Sequence, residues 1–206
     1  MRTPRGPYAK SSAKRQQILD AALAAYAEAG SRKVSVRDIA QRVGMTDAGV
    51  LHHFGSREAL LTAVLEARDA AAQAKYGDPH ADPSAGLHIV ADNASTPGLV
   101  KLFVDVAAAA AEPGHPAHDW FIDRYADYRG SLADQISDGL AHPPAGGVDG
   151  PSPSPIDPEW AARILVAAVD GLQLQWLLEP GIDMAADLAA LRDVLVSALR
   201  ADGQPD

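Results

Sequence analysis

The chain has 206 residues, a hydrophobic fraction of 47% and a net charge of −9, so it can bury the core of one large or two small domains. It contains no cysteine, which excludes disulfides and thiolate metal sites and fits a reducing cytoplasm. The apolar stretch 160–178 carries polar groups, so we expect neither a transmembrane helix nor a membrane partner. These groups are Arg163, Asp170, Gln173 and Gln175.

The charge is unevenly distributed along the chain. Residues 1–60 contain ten basic and five acidic side chains, a net charge of +5, whereas residues 61–206 carry −14. A basic head on an acidic body indicates a segment that binds a polyanion such as DNA. Charge also fluctuates by chance along a chain, and the charge alone leaves that alternative open.

The N-terminal third predicts an arm and four helices. Residues 1–10 contain two prolines and are basic, and we predict a flexible arm. A first helix begins after Ser11 or Ser12 and ends at Gly30. Ser35 starts the second helix in a variant capping box with Asp38. Thr46 caps a short helix to about residue 53, and Ser56 caps a longer one to about residue 76.

Apolar spacing predicts helices in the rest of the chain as well. Helices are predicted at 87–94, 97–111, 159–178 and 184–199, with one more over the apolar face from Phe121 to Leu140. Residues 142–158 hold six prolines and three glycines, which predicts a loop or disordered spacer. No alternating run or internal repeat is found, so the fold class is all-α with about nine helices.

Residues 35–54, SVRDIAQRVGMTDAGVLHHF, have the layout of a helix-turn-helix. Two short helices flank a tight turn at residues 43–45, and each has apolar positions for packing. The second helix of such a motif enters the DNA major groove with its N-terminal residues toward the bases. An ordinary helical hairpin would show the same pattern, and the basic head favours DNA binding.

Residues 14–65 resemble the N-terminal domain of the TetR family of bacterial repressors. The matching stretches are RQQILDAALAAYAEAG, VSVRDIAQRVGMTDAGVLHHF and GSREALLTAVLE. Further on, AARILVAAVDGLQLQWLLEPG resembles a C-terminal domain type of choline-responsive members, from which we carry over no ligand. The resemblance implies a DNA-binding domain at 11–55 and a helical ligand-binding and dimerisation domain at 56–206.

The resemblance also implies roles by position. The start of the second helix of the motif would face base edges, and its end would lie near bases or backbone. Ser35 and Arg57 would hold phosphates. The DNA-binding set is therefore Ser35, Arg37, Thr46, Asp47, Ala48, Gly49, His52, His53 and Arg57.

This chain departs from the family at the reading end of the motif. The family often has a tyrosine that touches the DNA backbone where this chain has Leu51. Ala48 and Val50 offer only contact with a thymine methyl, and Asp47 could accept a hydrogen bond from cytosine. We therefore expect extra backbone or minor-groove contacts from basic residues of the N-terminus, namely Arg2, Arg5, Lys10, Lys14 and Arg15.

Other chemistry is weakly indicated. Adjacent His52 and His53 do not share a helix face, and His115 and His118 have no acidic partner fixed by the pattern, so no metal or cofactor is expected. The sequence shows no phosphate loop, nucleophile elbow or zinc-protease motif, and we expect no enzymatic activity.

The last two helices predict a homodimer. Helix 159–178 is apolar on nearly all sides, and a small helical body needs a second subunit to cover it. An intramolecular core is the alternative. The predicted interface residues are Ile164, Leu165, Leu172, Leu188, Leu191 and Leu195.

The middle of the chain predicts an effector pocket. Its candidate lining consists of Phe103, Trp120, Phe121, Tyr125, Tyr128, Gln173 and Trp176, although residues of these types are more often plain core than ligand contacts. Asp170 lies in an apolar helix, where pairing with Arg163 or Arg124 is favoured over binding a cationic ligand.

The sequence therefore predicts a cytoplasmic, ligand-responsive DNA-binding regulator, a repressor that a small molecule releases from double-stranded operator DNA. The alternative is an all-helical binding protein or enzyme with a vestigial DNA-binding head. The sign of regulation and the effector are open.

Overall fold

The computed structural model describes residues 7–30, 32–141 and 157–201. Within these ranges it contains nine α-helices and no strand, which confirms the all-α prediction. The helices are α1 (Pro7–Ala29), α2 (Val36–Arg42), α3 (Asp47–Phe54), α4 (Arg57–Tyr76), α5 (Pro83–Asn93), α6 (Pro97–Ala109), α7 (His118–Ala141), α8 (Pro158–Leu178) and α9 (Met184–Ala201).

The helices form two compact units. The first unit contains α1–α3, most of α4 and the stretch Asn93–Phe121, which includes α6. The second contains Gln73–Asp92, the rest of α7, and α8 and α9. The sequence predicted a boundary after residue 55 between a DNA-binding and a ligand-binding domain. The compact units are divided at other positions, so this functional boundary stays a prediction.

Two helix starts differ from the expected ones. The first helix begins at Pro7, four residues before Ser11, so residues 7–10 of the predicted flexible arm are helical. Proline suits the first turn, because its fixed φ is helical and its missing N–H needs no partner there. Helix α5 begins at Pro83 rather than residue 87 for the same reason, with Asp82 accepting the Ser84 N–H at 2.8 Å. Residues 1–6 and 142–156, the rest of the arm and most of the predicted spacer, lie outside the described residues.

The turn between α2 and α3 is fixed by local hydrogen bonds. The Met45 N–H donates to the Ala40 carbonyl at 2.9 Å and the Gly44 N–H to that of Gln41 at 3.3 Å. This pair of bonds is the Schellman motif, which needs a left-handed residue after the helix. Gly44 supplies it with φ +66°, where a side chain would be strained. The break predicted at Gly44 is confirmed.

The core of the first unit holds α2 and α3 against α1 and α4. Ile18, Ile39, Val50, Leu60 and Leu65 are almost fully buried. Their spacing along each helix gives one apolar stripe per helix, and these stripes meet in one core. The helix-turn-helix is therefore held by side chains from other elements as well as its own two helices.

The start of α6 approaches the end of α1 at backbone distance. A Cβ added to Gly98 would clash with the Tyr26 carbonyl oxygen and lie 2.8 Å from that of Gly30. Only a residue without a side chain allows this contact. Position 98 therefore sets how closely these two helices pack.

In the second unit, α8 packs against α9. Their buried residues include Leu165, Trp176, Leu188 and Leu195. By length and composition alone α8 could cross a membrane, and 28% of its apolar stretch is buried within the chain. Many of the other residues of α8 are half-buried within the described part of the chain, and its exposed large apolar side chains include Leu174 and Leu178.

We expect Gly98→Ala to lower the free energy of unfolding by about 1–3 kcal/mol, because the new methyl group would push α6 away from α1. Urea unfolding measures this. The matched control is Gly130→Ala in α7, where a Cβ meets nothing within 4 Å and helix propensity should raise the stability by up to about 1 kcal/mol. Equal effects of the two substitutions would contradict the close approach.

Candidate DNA-binding surface and effector site

Helix α3 exposes a narrow surface that we call the reading face, formed by Thr46, Asp47, Ala48 and His52. All four side chains are exposed, whereas Val50 and Phe54 on the opposite side are buried. A thymine contact from Val50 is therefore wrong, because that side chain is committed to the core. Leu51 and His53 are half-buried at the border of the reading face.

Thr46 starts α3 and shapes its first turn. Its Oγ1 accepts the Gly49 N–H at 3.1 Å, which confirms the predicted cap and leaves the hydroxyl hydrogen free to donate outward. A Cβ on Gly49 would lie 3.2 Å from Thr46 Oγ1 and 3.3 Å from Met45 Cε. The small residue at position 49 thus keeps the cap undisturbed.

Ser35 is engaged within its own capping box. Its Oγ donates to Asp38 Oδ2 at 2.7 Å and its N–H donates to the same oxygen at 2.8 Å. The hydrogen bond from the Ser35 hydroxyl is the main cause that lowers the pKa of Asp38. The box is confirmed, and Ser35 must leave Asp38 before its hydroxyl can donate to a phosphate.

The basic residues near α3 differ in how far they are neutralised. Arg42 is held by Glu28 in a two-pronged ion pair, with Nη2–Oε2 at 2.7 Å and Nη1–Oε1 at 3.2 Å. Arg57, in the first turn of α4, lies 3.9 Å from Glu58. Arg37 on α2 is exposed. Arg37 and Arg57 are therefore the more available charges for phosphates.

Arg15 serves the structure of the head. Its Nη1 donates to the His53 carbonyl oxygen at 2.9 Å, and its guanidinium lies 4.1 Å from the centre of the Phe54 ring. The side chain thereby closes the C-terminal end of α3. This tertiary contact gives Arg15 a structural role, and its expected DNA contact stays a prediction. Arg2, Arg5 and the side chain of Lys10 lie outside the described set.

The four histidines singled out in the sequence contact the backbone or one another. His52 and His53 make an edge contact with ring centres 6.1 Å apart. His115 Nδ1 lies 3.1 Å from the Ala117 backbone nitrogen, and His118 Nδ1 lies 2.8 Å from the Ala110 carbonyl oxygen. Across the described ranges, no group of three His, Asp or Glu side chains could hold a metal ion.

The candidate effector residues fall into both compact units. In the first, Phe121 contacts Phe103 with ring centres 5.5 Å apart and Trp120 at 4.8 Å. The second unit contains Tyr125, Tyr128, Gln173 and Trp176. Gln173 is buried, and its amide nitrogen donates to the Val169 carbonyl oxygen of its own helix at 3.2 Å.

Tyr125 has a partner that the sequence did not reveal. Its hydroxyl donates to Asp170 Oδ2 at 2.6 Å, joining α7 to α8. Burial raises the pKa of Asp170, and the hydrogen bond from Tyr125 and the charge of Arg124 oppose that rise. Asp170 thus has a structural partner in Tyr125, and the charge of Arg124 acts on it as well.

A polar cluster beside Phe103 was also missed. Arg68 on α4 donates to Asn93 Oδ1 at 2.6 Å, and its guanidinium lies 5.8 Å from the Phe103 ring centre. Asn93 is buried. Neither residue stands in a motif, so only the tertiary structure brings them together.

The predicted dimer residues are divided by burial. Leu165, Leu188 and Leu195 are buried in the single chain, and Ile164, Leu172 and Leu191 are half-buried. The strongly exposed apolar side chains on these two helices are different ones. They are Leu178 (81% exposed), Val194 (65%), Leu174 (49%) and Trp160 (41%).

Known proteins share this architecture. Residues 18–64 match the family model described as bacterial regulatory proteins, tetR family. Residues 86–200, more than half of the chain, match the model of the BetI-type transcriptional repressor C-terminal region. Together with the helix-turn-helix, these matches define a bacterial DNA-binding transcriptional regulator. The chain belongs to the TetR family, with a C-terminal region of the BetI type, and the predicted resemblance is confirmed.

Individual relatives agree over nearly the full length. The HTH-type transcriptional regulator TtgR of Pseudomonas putida is 28% identical over 200 residues, which cover 90% of this chain and 91% of the relative. A solved TetR-family regulator from Rhodococcus sp. is 25% identical with a TM-score of 0.65, covering 89% and 99% of the two chains. A structure described as the basis for control of antibiotic production by bacterial hormones is 29% identical with a TM-score of 0.56, covering 91% and 98%.

We expect Arg15→Ala to lower the free energy of unfolding by about 1 kcal/mol, because the substitution opens the hydrogen bond to His53 and uncovers Phe54. Thermal or urea unfolding measures the loss. Lys14→Ala is the neighbouring control, because Lys14 bonds only to Gln17 of its own helix and its loss should leave stability unchanged. If the two variants were equally stable, the structural role of Arg15 would be refuted.

Proposed function

We propose that this chain is a homodimeric repressor that binds operator DNA through two copies of α3 and releases it when a small molecule binds. The observation that carries DNA binding is the reading face, an exposed turn of α3 capped by Thr46, with exposed Arg37 on α2 and Arg57 at the start of α4 as the available cations. In a helix-turn-helix this turn enters the major groove while neighbouring cations contact phosphates. The DNA-binding set named from the sequence is part of this proposal.

The regulator would read few bases directly. Ala48 and Gly49 have no polar side-chain atoms. Leu51 cannot make the hydrogen bond that a tyrosine at this position would make to the DNA backbone. Asp47 could accept from a cytosine amino group and Thr46 could donate to a phosphate. Binding strength would then come mainly from phosphate contacts, and specificity in part from dimer spacing and DNA shape.

The test of DNA binding is affinity for the fragment upstream of the chain's own gene at about 50 and 200 mM salt. We expect a loss of about 10³-fold or more between the two conditions, because a dimer that neutralises about six or more phosphates releases as many counterions. The double variant Arg37→Gln/Arg57→Gln should show a clearly shallower dependence.

The control fragment is a shuffled sequence of the same length and composition. Weaker binding to that fragment supports operator recognition. Flat salt dependence together with equal affinity for both fragments would reject DNA binding and favour the alternative, an all-helical binding protein or enzyme with a vestigial head.

The dimer is supported by uncovered apolar surface on α8 and α9. Leu174 and Leu178 lie one helical turn apart on α8, and Val194 lies on α9. A water-soluble regulator does not leave such a stripe in solvent, and a second copy of the same two helices would cover it in a four-helix interface. On this proposal α8 faces a partner helix in the cytoplasm and not lipid.

We expect Leu174→Glu or Val194→Glu to convert the dimer to monomers in sedimentation analysis and to abolish tight operator binding, because a single head holds half the phosphates. The matched control is Ile122→Glu on α7, a similarly exposed apolar residue at 53% that lies on neither α8 nor α9. A dimer that survives both substitutions would place the interface elsewhere.

Small-molecule control is supported by aromatic and polar groups in the C-terminal region and by the hormone-controlled relative. The proposed effector residues remain Phe103, Trp120, Phe121, Tyr125, Tyr128, Gln173 and Trp176. A molecule qualifies as effector only if it binds the DNA-free form more tightly than the DNA-bound form. Screening compounds for release of bound operator tests this directly, and we propose no catalytic step.

A further inference from the structure

The cations of the DNA-binding head fall into two groups. Arg42 is paired with Glu28, and Arg15 contacts the His53 carbonyl and the Phe54 ring. Two lysines stand apart from these. Among the residues that the structure describes, no carboxylate lies within ion-pair distance of Lys14 or Lys33. Charges left without a carboxylate are the ones that a polyanion can neutralise.

Lys14 precedes Arg15 on the turn of α1 that is tied to α3. The next residue, Arg15, ties this turn of α1 to the C-terminus of α3 through the 2.9 Å bond to the His53 carbonyl. The Lys14 Nζ donates to the amide oxygen Oε1 of Gln17 at 2.9 Å, which orients the ammonium group without neutralising it. Lys14 is half-buried, so its ammonium group keeps its charge on a turn of α1 that is anchored to α3 through Arg15.

Lys33 is placed on the other side of the motif, ahead of α2. Residues 33–35 form a short non-helical stretch that ends at Ser35 with φ −99° and ψ 159°, an extended conformation. Side chains alternate along such a stretch, and Val34 is buried while Lys33 and Ser35 are exposed. Lys33 thus shares the outward side with Ser35, at the entrance of the helix that crosses the DNA backbone in a helix-turn-helix.

We infer that Lys14 and Lys33 are outer phosphate contacts that widen the footprint of each head beyond Arg37 and Arg57. One lysine lies on the turn of α1 that is anchored to α3 and the other before the start of α2, so they would meet backbone on different sides of the bound groove. Such contacts fix position and register without reading bases. The inference rests on the proposed operator binding.

The test compares Lys14→Gln, Lys33→Gln and the double variant in full-length protein bound to the upstream fragment. Each substitution removes one phosphate contact per head and two per dimer. The slope of log affinity against log salt should become shallower by about 2 for each single variant and by about 4 for the double. The effects should add because the two sites share no partner.

The matched control is Lys101→Gln on α6, which changes the charge equally but removes a lysine that is paired with Asp105 at 2.9 Å. Phosphate-ethylation interference supplies a second readout, since each single variant should lose interference at different phosphates. The inference would be overturned if the lysine variants showed the same slopes and interference patterns as Lys101→Gln. The proposed function would still stand in that case. A wild-type protein without salt dependence would instead reject the proposed function itself.

Discussion

The reading face depends on one short turn. Two hydrogen bonds, from Met45 to Ala40 and from Gly44 to Gln41, end α2 and reverse the chain within three residues. Because this turn is held by backbone bonds and a left-handed glycine, α3 begins at a defined angle to α2. Val50 can then reach the core, and Thr46, Asp47 and Ala48 are left outside. Every proposed base contact follows from that placement.

Helix α4 has residues in both compact units. Its first residue, Arg57, lies in the DNA-binding head, and its last four residues belong to the second compact unit. There Lys75 pairs with Asp92 at 3.1 Å, and the following loop is held by His80 Nδ1 to Ser131 Oγ at 2.9 Å. Helix α4 is therefore a continuous helix whose residues are divided between the two compact units.

The sequence predicted those features that depend on local chemistry. The caps at Ser35, Thr46 and Ser56 and the break at Gly44 were found because each uses residues within a few positions of one another. The structural role of Arg15 was missed because its partner is 38 residues away. The Tyr125–Asp170 bond and the Arg68–Asn93 bond were invisible for the same reason. Periodicity identified α8 and α9 as apolar but did not show that Leu165, Leu188 and Leu195 are buried within the single chain while Leu174, Leu178 and Val194 are exposed.

The exposed apolar side chains of α8 and α9 would link promoter occupancy to the number of chains in the cell. If two chains must meet before either head can hold its operator, the concentration of active protein rises with the square of the chain concentration at low abundance. Halving the number of chains at cell division would then cost more than half of the occupancy. Helix surfaces far from the reading face in sequence would in this way give the regulated promoter a threshold, and the position of that threshold would depend on the apolar area of Leu174, Leu178 and Val194 as well as on the affinity for the operator.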